Sequence, residues 1–248
     1  MKKLFLLLFA YFTFAQLSCP EIDETPWDWF PRLSYDFDIQ GARLYLANTR
    51  SIRSFELTDP VAPALTGAAF TENGVFQVEA TPGFSAVIGN FTSLVFPLNA
   101  NGVPETPFET QLFDGCLPVV SNAGYFFSLE NITAGCRNPS FAQGSMVRII
   151  PISNPLPEAA LIKTVSLADP RDVAIEGDLL FIADGLSGLK VFSIADLDHI
   201  QLLSHHSDLI ATRVQVGENR LTVLSDTRLL VFDYSNPAAL QLLAEMPF

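Results

Sequence analysis

Residues Asp172–Ile194 read DVAIEGDLLFIADGLSGLKVFSI, and their alternation decides the class of fold. Asp172 to Glu176 is a short alternating strand, and Gly177-Asp178 has the chemistry of a tight two-residue hairpin turn. Leu179 to Ala183 reads as a second strand, Asp184 to Gly188 as a Gly-rich turn, and Leu189 to Ile194 as a third strand. Asp196 opens a loop before a fourth apolar run, Ile200 to Leu203. Four short antiparallel strands of this kind cannot bury both faces without neighbours.

Those neighbours are repeats of the same unit. Aligning the turn between second and third strands gives Asn48, Asn90, Glu130, Asp184 and Asp226, in steps of 42, 40, 54 and 42 residues. The loop after the third strand supplies an independent register: Leu57-Thr58-Asp59-Pro60, Ile152-Ser153-Asn154-Pro155 and Tyr234-Ser235-Asn236-Pro237, with weaker copies at Asn99 and Asp196. Both registers place one long spacing in the third repeat, between Glu130 and Ser145. A period near 40 residues with several strands per unit belongs to a propeller and not to a helical solenoid. The expected fold is all-β, a single five-bladed β-propeller of four-stranded antiparallel blades, spanning about 35–70, 74–110, 112–165, 167–205 and 208–248. The first repeat opens on an inner strand and the last closes on an outer one, so each blade is contiguous chain with no strand exchanged at the seam. Phe37 and Ile39 are expected to pack there against Val214 and Val216.

Composition supports a large core: 49% of the 248 residues are hydrophobic, only 17% are charged, and Phe occurs 21 times. The net charge is −13. Such a surface repels nucleic-acid phosphates and anionic lipid headgroups, so no nucleic-acid partner is expected, and solubility alone accounts for most of the charge.

Met1-Lys2-Lys3 and the apolar run Leu4 to Phe14 form the basic and hydrophobic regions of a secretory signal, too short to span a bilayer. Cleavage falls either near Ala15-Gln16 or after Ser18, because Leu17-Ser18-Cys19 resembles the end of a bacterial lipobox, with Gln16 a departure from it. Cys116 and Cys136 sit in similar Gly-Cys settings within one insertion and form a candidate disulfide, which leaves Cys19 over as a lipidation site. The bridge would close a loop of about 21 residues, worth roughly 3 kcal/mol in the chain-entropy model. The division is thus a signal peptide over 1–18, a lipid-anchored tether over 19–34 and repeats over 35–248. The tether is acidic from Glu21 to Glu24 and holds the only two tryptophans, Trp27 and Trp29, an aromatic end able to dock on the domain.

Gly185 to Ile194 (GLSGLKVFSI), Leu229 to Leu243 (LLVFDYSNPAALQLL) and Ser153-Asn154-Pro155 resemble the LVIVD-repeat β-propeller proteins. Bacterial lipoproteins of that family also carry a Gly-Cys pair around the third repeat, as Gly115-Cys116 and Gly135-Cys136 do here. The second repeat departs most, since no Pro follows Asn99. The resemblance implies the fold and an exported location, and no catalytic residues.

The chemistry is sparse. Asn48, Asn90, Glu130, Asp184 and Asp226 are a candidate ring for a cation or sugar hydroxyls, against the plainer reading that Asn and Asp suit turns. Asp36, Asp38 and Asp172, with Arg171 and Arg213 beside them, are the candidate channel or ligand face. Paired carboxylates there would suit a glycosidase. Nucleophile elbow, zinc-protease helix, Walker A and dinucleotide motifs do not occur, and no cofactor or metal site is expected. His199, His205 and His206 read as solvated edge residues, and Asn90 and Asn131 head glycosylation sequons. The expectation is a non-catalytic binding or scaffold module for a protein or glycan, held at the outer membrane or cell surface by a lipid on Cys19. A periplasmic or secreted location is the alternative, as is a carbohydrate-active enzyme using the channel acids.

Overall fold

A computed structural model describes residues 34–48, 50–72, 74–89, 92–110, 117–131, 144–152 and 163–248. The described residues form twenty strands in five antiparallel four-stranded sheets. Sheet one holds β1 (Ser34–Gln40), β2 (Arg43–Asn48), β3 (Ser51–Glu56) and β4 (Ala64–Phe70). Sheet two holds β5 (Val75–Thr81), β6 (Phe84–Gly89), β7 (Thr92–Pro97) and β8 (Phe108–Thr110). Sheet three holds β9 (Val119–Ser121), β10 (Tyr125–Glu130), β11 (Met146–Pro151) and β12 (Lys163–Ser166). Sheet four holds β13 (Asp172–Glu176), β14 (Leu179–Ala183), β15 (Leu189–Ser193) and β16 (Gln201–His206). Sheet five holds β17 (Arg213–Gly217), β18 (Arg220–Leu224), β19 (Arg228–Asp233) and β20 (Gln241–Pro247). Every sheet is a meander of four consecutive strands.

The local chemistry explains the repeats. The first hairpin of sheets one, two and four turns on a left-handed glycine, namely Gly41 (φ 63), Gly83 (φ 91) and Gly177 (φ 57). Sheet five makes the same turn with Glu218 (φ 54) and Asn219 (φ 60). Asn tolerates that region, whereas a long side chain at Glu218 costs energy there. Glu218→Gly is therefore expected to raise stability by about 0.5–1 kcal/mol, as read from urea unfolding. Between third and fourth strands, sheets one, four and five each carry a register shift, at Ser54/Phe55, Val191/Phe192 and Val231/Phe232. The loop that follows is an Asx turn: Asp59, Asn99, Asp196 and Asn236 each accept a bond from the backbone N–H two residues on, at 2.9–3.3 Å.

Side chains alternate between the faces of each sheet, so sheets two, three and four each feed two cores. Tyr45, Ile52, Val78 and Phe96 join sheets one and two. Val95, Val119, Phe126 and Ile150 join two and three. Phe127, Ile149, Leu180 and Ile182 join three and four, and Phe181, Val191, Leu221 and Val223 join four and five. The first strands of consecutive sheets pack against one another in order, β1 on β5, β5 on β9, β9 on β13 and β13 on β17. Burial falls toward the fourth strands, and every residue of β20 is exposed.

The seam expectation needs correction in one part. Val214 and Val216 belong to the core shared with sheet four, together with Leu221 and Val223, and do not face sheet one. A strand offers alternate residues to opposite sides. The alternate residues of β17 are Arg213 and Gln215, cross-strand from Leu224 and Thr222.

Candidate functional site

The candidate channel acids lie on first strands, where each sheet meets the next. Asp36 Oδ2 accepts a bond from the backbone N–H of Val78 at 3.1 Å, and Asp38 Oδ2 from that of Ala80 at 2.7 Å. Asp172 Oδ2 does the same with Val214 N–H at 2.9 Å. Two more contacts share the geometry. Gln77 Nε2 donates to the Val119 carbonyl at 3.1 Å, and Ser121 Oγ donates to Glu79 Oε1 at 2.6 Å. All five span 42 residues. One first strand thus reaches across to the first strand of the next sheet and satisfies a polar group that the meander leaves open.

Burial raises the pKa of Asp36, Asp38 and Asp172, against the opposing effect of the backbone bonds they accept. Glu79 is displaced furthest, to about 8, by burial first and then by the Asp38 and Asp36 carboxylates. These four acids are thus two in sheet one, one in sheet two and one in sheet four, and each has a hydrogen-bond partner on the adjoining sheet. Arg213 stands 3.9 Å from Asp172 with its side chain largely exposed. Arg171 turns elsewhere and pairs with Asp169 at 2.7 Å.

The turn set divides. Glu130 is buried in an ion pair with Arg148 at 2.8 Å. Asp184 is fully buried, accepts bonds from the N–H groups of Ala168 and Asp169, and pairs with Lys190 at 2.5 Å. These two carboxylates anchor the corner from inside and do not present a ring to solvent. Asp226 is exposed and accepts a bond from Ser225 Oγ at 2.9 Å. Asn48 ends β2, half-buried, and Asn90 lies outside the described residues, as do Cys19, Cys116 and Cys136.

Among the described residues no group of three His, Cys, Asp or Glu side chains is placed to hold a metal ion. His199 and His205 are exposed and His206 is half-buried, with His205 and His206 on the edge strand β16, and each makes a local contact. His199 bonds Asp196 at 2.8 Å, His205 meets the Ser187 carbonyl at 2.7 Å, and the His206 ring lies 5.6 Å from that of Phe232. Asn131, head of a sequon, is buried and donates to Asp169 and to the Pro170 carbonyl.

Sequence reasoning passed over a depression of about 300 Å³ between sheets one and two. Gln40, Arg43, Tyr45, Asn99, Asn101 and Gly102 line it. The Tyr45 hydroxyl donates to the Gly102 carbonyl at 2.9 Å, and Arg43 pairs with Glu56 at 3.1 Å. Gly102 is left-handed (φ 66), and a Cβ there would meet the Arg43 side chain at 2.6 Å. Asn99-Ala100-Asn101-Gly102 was the available signal, two amides on a turn that needs glycine. The depression presents amide groups and a neutralised guanidinium, chemistry suited to hydroxyl-rich or peptide ligands.

No family model matches the chain, and no curated protein does. Solved structures share its fold at low identity. A functionally unknown protein from Desulfotomaculum acetoxidans superposes with TM-score 0.60 at 13% identity, covering 87% of this chain and 70% of that one. The β-propeller domain of Myceliophteria thermophila Cps50 (Swd1) gives 0.57 at 11%, covering 87% and 72%. BamB from Moraxella catarrhalis gives 0.54 at 11%, covering 85% and 60%. The chain therefore has a β-propeller fold and spans between 60% and 72% of the length of these three proteins.

Proposed function

We propose that this chain is a non-catalytic binding or scaffold propeller whose five sheets are the five blades of a single ring, of the LVIVD-repeat kind, exported and held at the cell envelope by a lipid on Cys19. One observation carries the reading. Asp36, Asp38 and Asp172, the acids best placed for acid–base chemistry, are each committed to a backbone N–H of the adjoining sheet. A carboxylate that holds blades together is poorly available to protonate a leaving group or activate water. The ligand class we assign is protein or glycan, taken up on polar turn faces such as the depression beside Tyr45. A rigid fan of sheets offering turns is suited to recognition, a step taken by analogy with the fold.

Two measurements test this. Wild type and Asp172→Asn are expected to show no hydrolysis on a glycan panel, and the variant to unfold at lower urea concentration. Turnover by the wild type that Asp172→Asn abolishes would establish the enzyme reading instead. A fatty-acid analogue fed to the producing cell is expected to label wild type and miss Cys19→Ala; equal labelling of both would remove the anchor.

A further inference from the structure

We propose that the end of the molecule carrying the turns between second and third strands rests on a zwitterionic lipid bilayer through apolar tips, and that the opposite, acidic end is left free for ligand. The setting rests on the envelope reading above, and the experiment below is made without the lipid on Cys19.

The registers give every sheet the same two ends. Asp36, Gln77 and Asp172 each bond a residue 42 positions on, in the neighbouring first strand, so these strands run in one direction. Sheets three and four join at the same end, where Asn131, after β10, donates to the Pro170 carbonyl just before β13. Ser34 pairs with Asn48 and Ser51 with Phe70, while Asp172 pairs with Ala183 and Leu189 with His206. In sheet five Arg213 pairs with Leu224 and Arg228 with Pro247. The starts of first strands, the second-to-third turns and the ends of fourth strands therefore share one end. The first-to-second turns and third-to-fourth loops share the other.

Exposed apolar side chains are concentrated at the first end. Among the described residues the five most exposed large ones are Leu186, Phe248, Val61, Phe70 and Met246, at 57–76%. Only Val61 lies at the other end. Leu186 tops a turn fixed by bonds from Asp184 N–H to the Gly188 carbonyl and from Ser187 N–H to the Asp184 carbonyl, both 2.8 Å. A Cβ on Gly185 or Gly188 would meet Asp169 at 2.2 Å or the His206 carbonyl at 2.0 Å, so the turn that presents this leucine is closely packed. Phe248 N–H donates to the Thr227 carbonyl at 3.2 Å, beside the corresponding turn of sheet five. These tips belong to sheets one, four and five, and none is part of a hydrophobic core.

Charge separates the two ends as well. At the first, exposed Arg50, Arg171 and Arg213 stand against exposed Glu72, Asp208 and Asp226, and Arg228 pairs with Glu245. At the second, Asp59, Glu105, Asp178, Asp196, Asp198 and Glu218 are all exposed. The exposed cations there, Lys163 and Arg220, are bonded to Asp198 and Asp233. Only the first end can enter a headgroup layer without carrying a net charge into it. A protein partner selects one contiguous, complementary patch, whereas a bilayer interface accepts separate apolar tips. The chain also enters β1 at this end, so Cys19, fifteen residues before Ser34, is tied to it. The depression lined by Gln40, Arg43, Asn99 and Gly102 lies at the other end and faces away from the lipid.

Flotation with phosphatidylcholine vesicles tests the contact, using the mature chain with Cys19→Ala so that no acyl group contributes. The chain is expected to float with the vesicles. Leu186→Asp and Phe70→Asp should each lower the partition coefficient about tenfold, with far-UV circular dichroism and the urea midpoint retained. Val61→Asp should leave it unchanged. Adding phosphatidylglycerol should weaken binding at low salt, because the whole chain carries a charge of −13. A folded chain that stays off the vesicles at millimolar lipid would overturn the proposal and leave the apolar tips to a protein partner. Equal loss in Val61→Asp, or binding that requires the anionic lipid, would overturn it too. Failure of the fatty-acid label on Cys19 would remove the anchor and leave the flotation result standing.

Discussion

Replacing Arg148 by Met is expected to lower unfolding stability by about 3–5 kcal/mol, because it leaves Glu130 a buried carboxylate without its cation. Side chains of both residues are less than a tenth exposed, and their contact is 2.8 Å. The methionine fills most of the arginine stem's volume, so the loss reflects the stranded charge and not a cavity. Adding Glu130→Gln to Arg148→Met should recover much of it, since a neutral amide is far cheaper to bury than an ion. Urea unfolding of the two single variants and the double variant makes the cycle. Arg148→Met within 1 kcal/mol of wild type would mean that the corner is wet, and would revive Glu130 as a member of a ligand ring.

The same position shows how far the sequence could be read. A polar residue recurring at one corner of each repeat was visible, and so was a turn chemistry that explains it. What that corner holds was not visible, because Arg148 and Lys190 stand on the following strand, separated from Glu130 by the long third-repeat insertion and from Asp184 by a glycine turn. The strands of sheet four follow from alternation and turns almost residue by residue, with β16 running on to His206. The Asx turns at Asp59, Asn99, Asp196 and Asn236 account for the second register. The 42-residue step, used as a measure of repeat length, was also the hydrogen-bonding register between blades. Asp36 with Val78 and Asp172 with Val214 are each one step apart. Reading it so would have assigned the inner acids a structural partner at once. The assignment of Val214 and Val216 to the seam failed on strand parity, which a lone strand does not reveal. Their valine character marks a buried face without saying which neighbour buries it.

Raising the pH from about 5 to about 9 is expected to destabilise the wild type more than Glu79→Gln, by about 2–3 kcal/mol. The sign follows from the direction of the shift. Glu79 is held up to about 8 in the folded chain by burial and by Asp38 and Asp36, against 4.5 for a free side chain. The folded state thus binds this proton more tightly than the unfolded state does, and between those values stability falls as pH rises. The full displacement would correspond to roughly 5 kcal/mol, and the partial exposure of Glu79 reduces what the experiment should see. Asp36, Asp38 and Asp172 are shifted in the same direction, so they add to the slope in the acid range and none opposes it. Glutamine keeps an oxygen for the Ser121 hydroxyl and cannot ionise. The variant should therefore follow the wild type near pH 5 and exceed it in stability near pH 9. Chemical denaturation at a series of pH values measures both curves. Parallel curves for the two proteins would show that Glu79 is already ionised at neutral pH, and that the junction of sheets one, two and three is open to water.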